Sequence, residues 1–304
     1  MSIMKKLLWT LPVIALTVAG CSSTTSDAAA ADDSLTIVTS TQVWADIASA
    51  VAPDITVAPI VTDGDSDPHS FEPSAADMAR VSEADIIVVG GGGYDSWLYD
   101  SLPEDDSRII HALDLSEHDH EGDEADTDEH AGHDHADVDN EHVWYSTEHV
   151  ASVAQDLADK IVKLDPEAQV TPEVVTEKMN ELHNSIHNIP AVSYAQTETI
   201  ADHLLSHSEL VDATPAGYRA STLSHGEPTA ADIAEFQDAI RNGDIDILIN
   251  NPQSAAAVST SLVELAEENN VPVVEIYESP QSDENFLDVF TQAVDDLTAA
   301  ANQV

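Results

Sequence analysis

The chain has 304 residues, 42% of them hydrophobic, which is enough for sizeable cores and suits two domains as well as one. Against 58 Asp plus Glu stand only 9 Lys plus Arg, a formal net charge of −49. That balance excludes nucleic acid as a partner, because phosphates require a basic patch, and it suits a high-salt habitat or a solvated extracytoplasmic surface.

The N-terminus, "MSIMKKLLWTLPVIALTVAGC", places Lys5 and Lys6 ahead of an apolar run from Leu7 to Val18, followed by small residues. This order reads as a secretory signal over residues 1–20, too short for a spanning helix. Val18-Ala19-Gly20-Cys21 resembles a bacterial lipobox, which makes Cys21 the first mature residue and the lipidation site. It is the single cysteine, so an intramolecular disulfide and a thiol metal site are both excluded. Residues 21–34 have little to bury and read as a flexible tether.

From residue 35 strands and helices alternate. Strand patterns at 35–40 and 55–61 flank a helix over 42–51, and Ser74 is a candidate N-cap for a helix running to Ala84. "DIIVVGG" (85–91) has the continuous apolar run of a parallel strand buried on both faces, and 108–115 supplies a fourth strand. Residues 116–141, rich in His, Asp and Glu, hold Val138 as their one large apolar residue and cannot form a core. A helix over 147–164 places Val150, Val153, Leu157, Ile161 and Leu164 on one face. A second opens at Thr171-Pro172, read as cap and N1 proline, and continues to Ile189 before Pro190. The second half predicts a strand at 192–196, helices at 199–208 and 229–241, and a strand at 245–251. A helix at 254–269, a strand at 271–278 and a final helix at 285–301 complete it.

The expected fold class is α/β, two (β/α) domains with parallel sheets joined by a long rigid helix. The boundaries are 35–170 for the N-terminal domain, 171–189 for the linking helix and 190–304 for the C-terminal domain. A Glu-Pro-Ser/Thr-Ala-Ala-Asp unit occurs in both halves, at 72–77 and 227–232. Its expected content is structural: an N1 proline, a capping hydroxyl, and a helix that returns to a parallel strand.

Histidines at strand-end loops carry the chemistry. In open α/β sheets ligands bind beyond the carboxyl ends of strands. His69 in "DPHSFEP" and His142 in "NEHVWYS" lie at that edge. Glu198 and Glu278 follow strands of the second half, and imidazole with carboxylate suits a first-row divalent ion. His203 and His207, four apart on a helix, form a candidate second pair. His225, the counterpart of His69 in the repeat, reads as an ordinary loop residue, and "GGGGY" (90–94) as a tight turn at the cleft rim.

"DPHSFEPSAADMARVSEADIIVVGGGGYDSWL" and "NEHVWYSTEHVASVAQDLADKI" resemble the first two metal motifs of the zinc- and manganese-binding receptors of bacterial ABC importers. In "QTETIADHLL", Glu198 stands where zinc receptors carry a histidine, as in manganese-type members. "EIYESPQ" departs from the family's late Leu-Asp-Pro; Tyr277 falls near the Asp position, with Glu278 next and Glu275 its rival. The resemblance covers nearly all of the mature chain. It implies a metal site in the interdomain cleft formed by His69, His142, Glu198 and Glu278, with Zn²⁺ or Mn²⁺ as the transported ion. It further implies a lipid-anchored monomer outside the membrane that serves a cognate ABC permease and its ATPase. His118, His120, His130, His133 and His135 of the acidic loop are expected to capture metal weakly. The loop argues for zinc, whereas a two-His, two-Glu set is harder and suits manganese or iron.

Two rivals are a secreted metallohydrolase and a passive metal buffer using the His-rich loop. The first needs an open coordination position and a general base, and the chain lacks HExxH and a nucleophile elbow. No enzymatic activity is expected. Replacing Cys21 with alanine should release the chain into the soluble fraction on cell fractionation, since anchoring depends on acylation there; an unacylated native protein would contradict this.

Overall fold

Every strand predicted from the sequence lies in one of two four-stranded sheets. The computed structural model describes residues 34–62, 71–103, 105–115, 140–254, 256–281 and 284–304. The first sheet contains β1 (Thr36–Thr41), β2 (Thr56–Val61), β3 (Ile86–Val89) and β4 (Ile109–His111), in the order β2-β1-β3-β4. The second contains β5 (Ser193–Gln196), β6 (Val211–Asp212), β7 (Ile247–Asn250) and β8 (Val273–Glu275), in the order β6-β5-β7-β8. All pairings are parallel. The two sheets therefore share one strand order, and the strand β3 of the first corresponds to β7 of the second. Both are buried along their whole length, as their unbroken apolar runs require.

The repeated sequence unit opens the helix that leads into each of these central strands, α2 (Ala75–Glu83) and α8 (Ala230–Asn242). Ser74 and Thr229 form matching capping boxes with Asp77 and Asp232. The prolines are not at N1 as expected. Pro73 and Pro228 precede the caps, because the hydroxyl three residues before the aspartate takes the capping position.

Helices α1 (Gln42–Val51), α3 (Ser96–Tyr99), α4 (Thr147–Leu164) and α5 (Pro172–His187) belong to the first half and the connection. Pro172 does sit in the first turn of α5, but Thr171 does not cap it; its Oγ1 donates to Ala50 O at 2.9 Å, closing the end of α1. Leu164, at the frayed end of α4, is exposed and not part of the buried stripe. The second half adds α6 (Asp202–Leu205), α7 (Ala216–Leu223), α9 (Ala257–Glu268) and α10 (Phe286–Ala301). The helix expected over 199–208 is shorter, a 3₁₀ turn at Thr199–Ala201 followed by α6. Neither β6 nor α7 was anticipated. The first has two exposed residues and the second buries only Tyr218, so neither shows a periodic pattern.

One core runs through both halves. Trp44 and Ile47 of α1, Leu157 and Ile161 of α4, and Met179 and Ile186 of α5 join Tyr194, Ile247, Phe286 and Phe290 in a single cluster. Helix α10, the last of the chain, packs against α1 and α5, so the chain's end closes on its beginning. A buried polar contact fixes that closure: Asp46 Oδ2 accepts the Phe286 N–H at 2.7 Å, while Oδ1 accepts from Gln42 Nε2. Among the described residues no helix is long and apolar enough to cross a membrane.

Asp46→Ala should destabilise the apo protein by about 1–3 kcal/mol, because the Phe286 N–H is left buried without an acceptor. Urea unfolding measures it; a loss under about 0.5 kcal/mol, the size of an ordinary surface change, would show that the contact is not needed for closure.

Candidate metal centre

Segments beyond the carboxyl ends of β3 and β8, one from each sheet, meet where Tyr94 bonds to Glu278. His142 reaches this cleft from the segment before a 3₁₀ turn, Val143–Tyr145, that leads into α4. Glu198 follows β5, Asn251 follows β7 and Glu278 follows β8. One ligand atom each from His142, Glu198 and Glu278 lies within 4.8 Å of the other two. A divalent ion bound at about 2.0–2.2 Å holds neighbouring ligands roughly 3–3.6 Å apart, so a small inward shift of these side chains would complete the grip.

His142 is oriented for this role by its neighbours. The Asn140 side-chain oxygen accepts the His142 backbone N–H at 2.9 Å and therefore must also accept from the ring, whose Nδ1 is 2.9 Å away. The proton is then on Nδ1, and Nε2 is turned towards the cleft with its lone pair available in the neutral ring. Nε2 is buried without a hydrogen-bond partner, 3.6 Å from Glu198 Oε1. Asn140 in turn is tied to the second half, since its Nδ2 donates to Thr199 O and to Asp202 Oδ2. The histidine from the first half and the glutamate of the second are thus registered through one amide.

The carboxylates are registered by another. Asn251 Nδ2 donates to Glu198 Oε2 at 2.7 Å and to Glu278 Oε1 at 2.6 Å. Ser254 Oγ also donates to Glu198. Glu198 is at the N-cap of the 3₁₀ turn, yet its side chain makes no capping bond there; it is aimed into the cleft. Two tyrosines from the first half close the other side. Tyr94 OH donates to Glu278 Oε2 at 3.2 Å, and Tyr145 OH donates to the Tyr277 carbonyl at 2.6 Å. Tyr94 is presented by the glycine run. Gly91, Gly92 and Gly93 all adopt positive φ, and a Cβ on Gly91 would stand 2.1 Å from the Leu113 carbonyl. The buried Asp95 carboxylate ties this turn down by accepting the Gly90 and Gly91 N–H groups.

Burial raises the Glu198 carboxyl, but the adjacent His142 and the Ser254 and Asn251 hydrogen bonds outweigh it and bring the group down to about 2. Glu278 moves the other way, raised by burial and by the charge of Glu198. Burial opposes a charged His142, while the contact with Glu198 and the charges of Glu278 and Glu141 prevail and raise it. A half-buried and a buried carboxylate whose affinities for protons are driven apart form a pair that lacks a permanent counter-charge.

The remaining candidates are placed as follows. His69, Cys21 and the loop histidines 118, 120, 130, 133 and 135 lie outside the described residues. Glu275 is exposed and its Oε2 accepts from Tyr277 OH, which leaves Glu278 as the residue that faces the cleft. His203 is buried and its Nε2–H donates to Asn140 O at 2.7 Å. His225 has left-handed backbone (φ 52°) and its Nε2 lies 3.4 Å from Glu141 Oε1. Asn140, Asn251, Tyr94 and Ser254 were missed from the sequence. Asn251 had a usable signal, an asparagine at the carboxyl end of a buried parallel strand; Asn140 and Tyr94 are set by contacts between halves, and Ser254 by a contact with Glu198 within the second half.

Asn251→Ala should lower the melting temperature of the metal-free protein, equivalent to about 1–3 kcal/mol, by removing the one amide donor that Glu198 and Glu278 share. Zinc should then restore a larger share of stability than it adds to the wild type, as thermal unfolding with and without the ion would show. An unchanged apo protein would contradict the bridging role.

Residues 37–300 match the family of ZnuA, the zinc-uptake complex component A, periplasmic. The manganese-binding lipoprotein MntA of Halalkalibacterium halodurans is 24% identical over 314 aligned positions, covering 96% of each chain. The zinc-binding lipoprotein AdcA of Streptococcus pneumoniae is 24% identical over 250, covering 76% of this chain and 48% of its own. Among solved structures, the laminin-binding protein Lmb of Streptococcus agalactiae aligns with a TM-score of 0.67 at 16% identity, covering 88% of this chain and 99% of that one. Because that family match spans residues 37–300, most of the sequence, the chain belongs to the ZnuA family of periplasmic zinc-uptake components.

Proposed function

We propose that this protein captures Zn²⁺ or Mn²⁺ outside the membrane, held there by a lipid on Cys21, and passes it to a cognate ABC permease and its ATPase. The observation that carries the proposal is the convergence of His142, Glu198 and Glu278 where segments beyond the carboxyl ends of both sheets meet. The similarity to MntA, a manganese-binding lipoprotein, and to AdcA, a zinc-binding one, supports the choice of ions. His69, which follows β2 in the sequence, is the fourth ligand in this reading, and the ion is cargo, neither cofactor nor catalyst. The protein acts as a monomeric receptor and not as an enzyme, with 35–170 and 190–304 as its domains. The loop histidines gather metal weakly beside the main site.

In this reading selectivity turns on Glu198. A carboxylate there hardens the site, and affinity on nitrogen-rich sites rises steeply from manganese to zinc. Glu198→Ala should weaken both ions by orders of magnitude, while Glu198→His should shift preference towards zinc. Metal content by mass spectrometry and competitive zinc and manganese titration measure both effects. Unchanged binding in Glu198→Ala would overturn the assignment.

Protons should compete with the ion for His142, whose affinity for a proton is raised by the adjacent Glu198 and which must be neutral to ligate. Affinity therefore falls as pH drops, and the fall begins above the ordinary imidazole value of about 6.5. Titrations at stepped pH check this; a flat affinity from about pH 7.5 to about pH 5 would contradict an imidazole ligand.

A further inference from the structure

Five of the 14 histidines of the chain, His149, His183, His187, His203 and His207, lie on α4, α5 and the α6 segment. His203 is committed to the Asn140 carbonyl, so the sequence pair His203/His207 is split: the two rings serve different neighbours. His207 instead faces His183 of α5, with ring centroids 5.2 Å apart and planes inclined at 53°. Its Nε2 is 3.5 Å from Glu148 Oε1 in the first turn of α4. His183 Nδ1 lies 3.5 Å from Thr147 Oγ1, which leaves Nε2 as the nitrogen available to an ion. The His207 backbone is met by a third imidazole, since His187 Nδ1 is 3.4 Å from its carbonyl oxygen.

We propose that Glu148, His183 and His207 form a second metal site, on the surface where α4 and α5 meet the end of α6, which takes ions from the zinc-to-copper end of the first-row series. The spacing fits. With metal–nitrogen bonds of about 2.0–2.1 Å and tetrahedral angles, two imidazole centroids on one ion are roughly 5 Å apart, close to the 5.2 Å between these rings. Glu148 is 68% exposed and His207 49% exposed. Both therefore turn about their side-chain torsions at little cost to complete the set, and a fourth position stays open to water. Two imidazoles and one carboxylate favour zinc, nickel and copper over manganese, magnesium or calcium. A chain with net charge −49 also concentrates divalent cations at its surface. This site draws no ligand from the cleft, so it stands or falls independently of the function proposed above.

The test is equilibrium dialysis of the whole chain against zinc, with bound ions counted by mass spectrometry. The wild type is compared with H183A/H207A and with H111A, a histidine at the far end of β4. The double variant should bind one zinc ion fewer per chain and H111A the same number as wild type. E148Q should weaken the last zinc bound about tenfold. If the double variant melts at a lower temperature, H207A alone, at an exposed position, decides the case and should show the same loss. Equal zinc content in H207A and wild type overturns the site. An equal loss in H111A overturns it too, because zinc would then be taken by exposed histidines at large.

Discussion

A buried carboxylate, Glu278, placed beside a half-buried one, Glu198, is the constraint on which the rest of this structure depends. Glu198 and Glu278 are both directed at one point and share a single amide donor, Asn251. Their repulsion is strongest where water is excluded, in a chain already carrying a formal charge of −49. Without an ion, the surroundings can only distribute protons: Glu198 stays ionised beside His142, and Glu278 is pushed upwards. An arrangement of this kind costs stability in the absence of a cation, and every group around it acts to hold the ligands in place. Asn140 orients the imidazole, Asn251 spaces the carboxylates, and Tyr94 and Tyr145 reach across from the other half.

The repeated architecture explains why the site lies where it does. Two sheets share one strand order, segments beyond β3 and β8 meet through Tyr94 and Glu278, and loops at such ends carry ligands because no regular backbone pairing consumes them. The repeated Glu-Pro-Ser/Thr unit contributes helix starts, through two capping boxes, and not duplicated chemistry. Of its two nearby histidines, His225 has become a neighbour of Glu141 and takes no part in the convergent set. Duplication built the cleft, and the asymmetry of its loops supplies the ligands.

Long periodic elements could be read directly from the residues. Helix α4 has the bounds that its apolar stripe and following Asp-Pro predict, and α1 does so as well. What could not be read were elements with little to bury, β6 and α7, and the side-chain partners of the site. Glu278 was distinguishable from Glu275 only once β8 ended at Glu275, which sent that side chain to Tyr277 and the next glutamate into the cleft. Asn140 carries no periodic or motif signal and Asn251 only its place at the end of a buried strand; their partners are set by contacts across more than 25 residues of chain, such as the pairing of Asn251 with Glu278. Local sequence reports helix ends and buried strands, whereas these contacts are products of the fold.

In the function proposed above, a single ion sits among these side chains at the strand ends. An anomalous-difference map of crystals grown with zinc, recorded on both sides of its absorption edge, tests it most directly. The account predicts a peak between His142 Nε2 and the carboxylates of Glu198 and Glu278, with Asn251 no longer bridging both acids at its present distances. A peak elsewhere with this cleft unchanged, and its carboxylates still joined by Asn251, would contradict it.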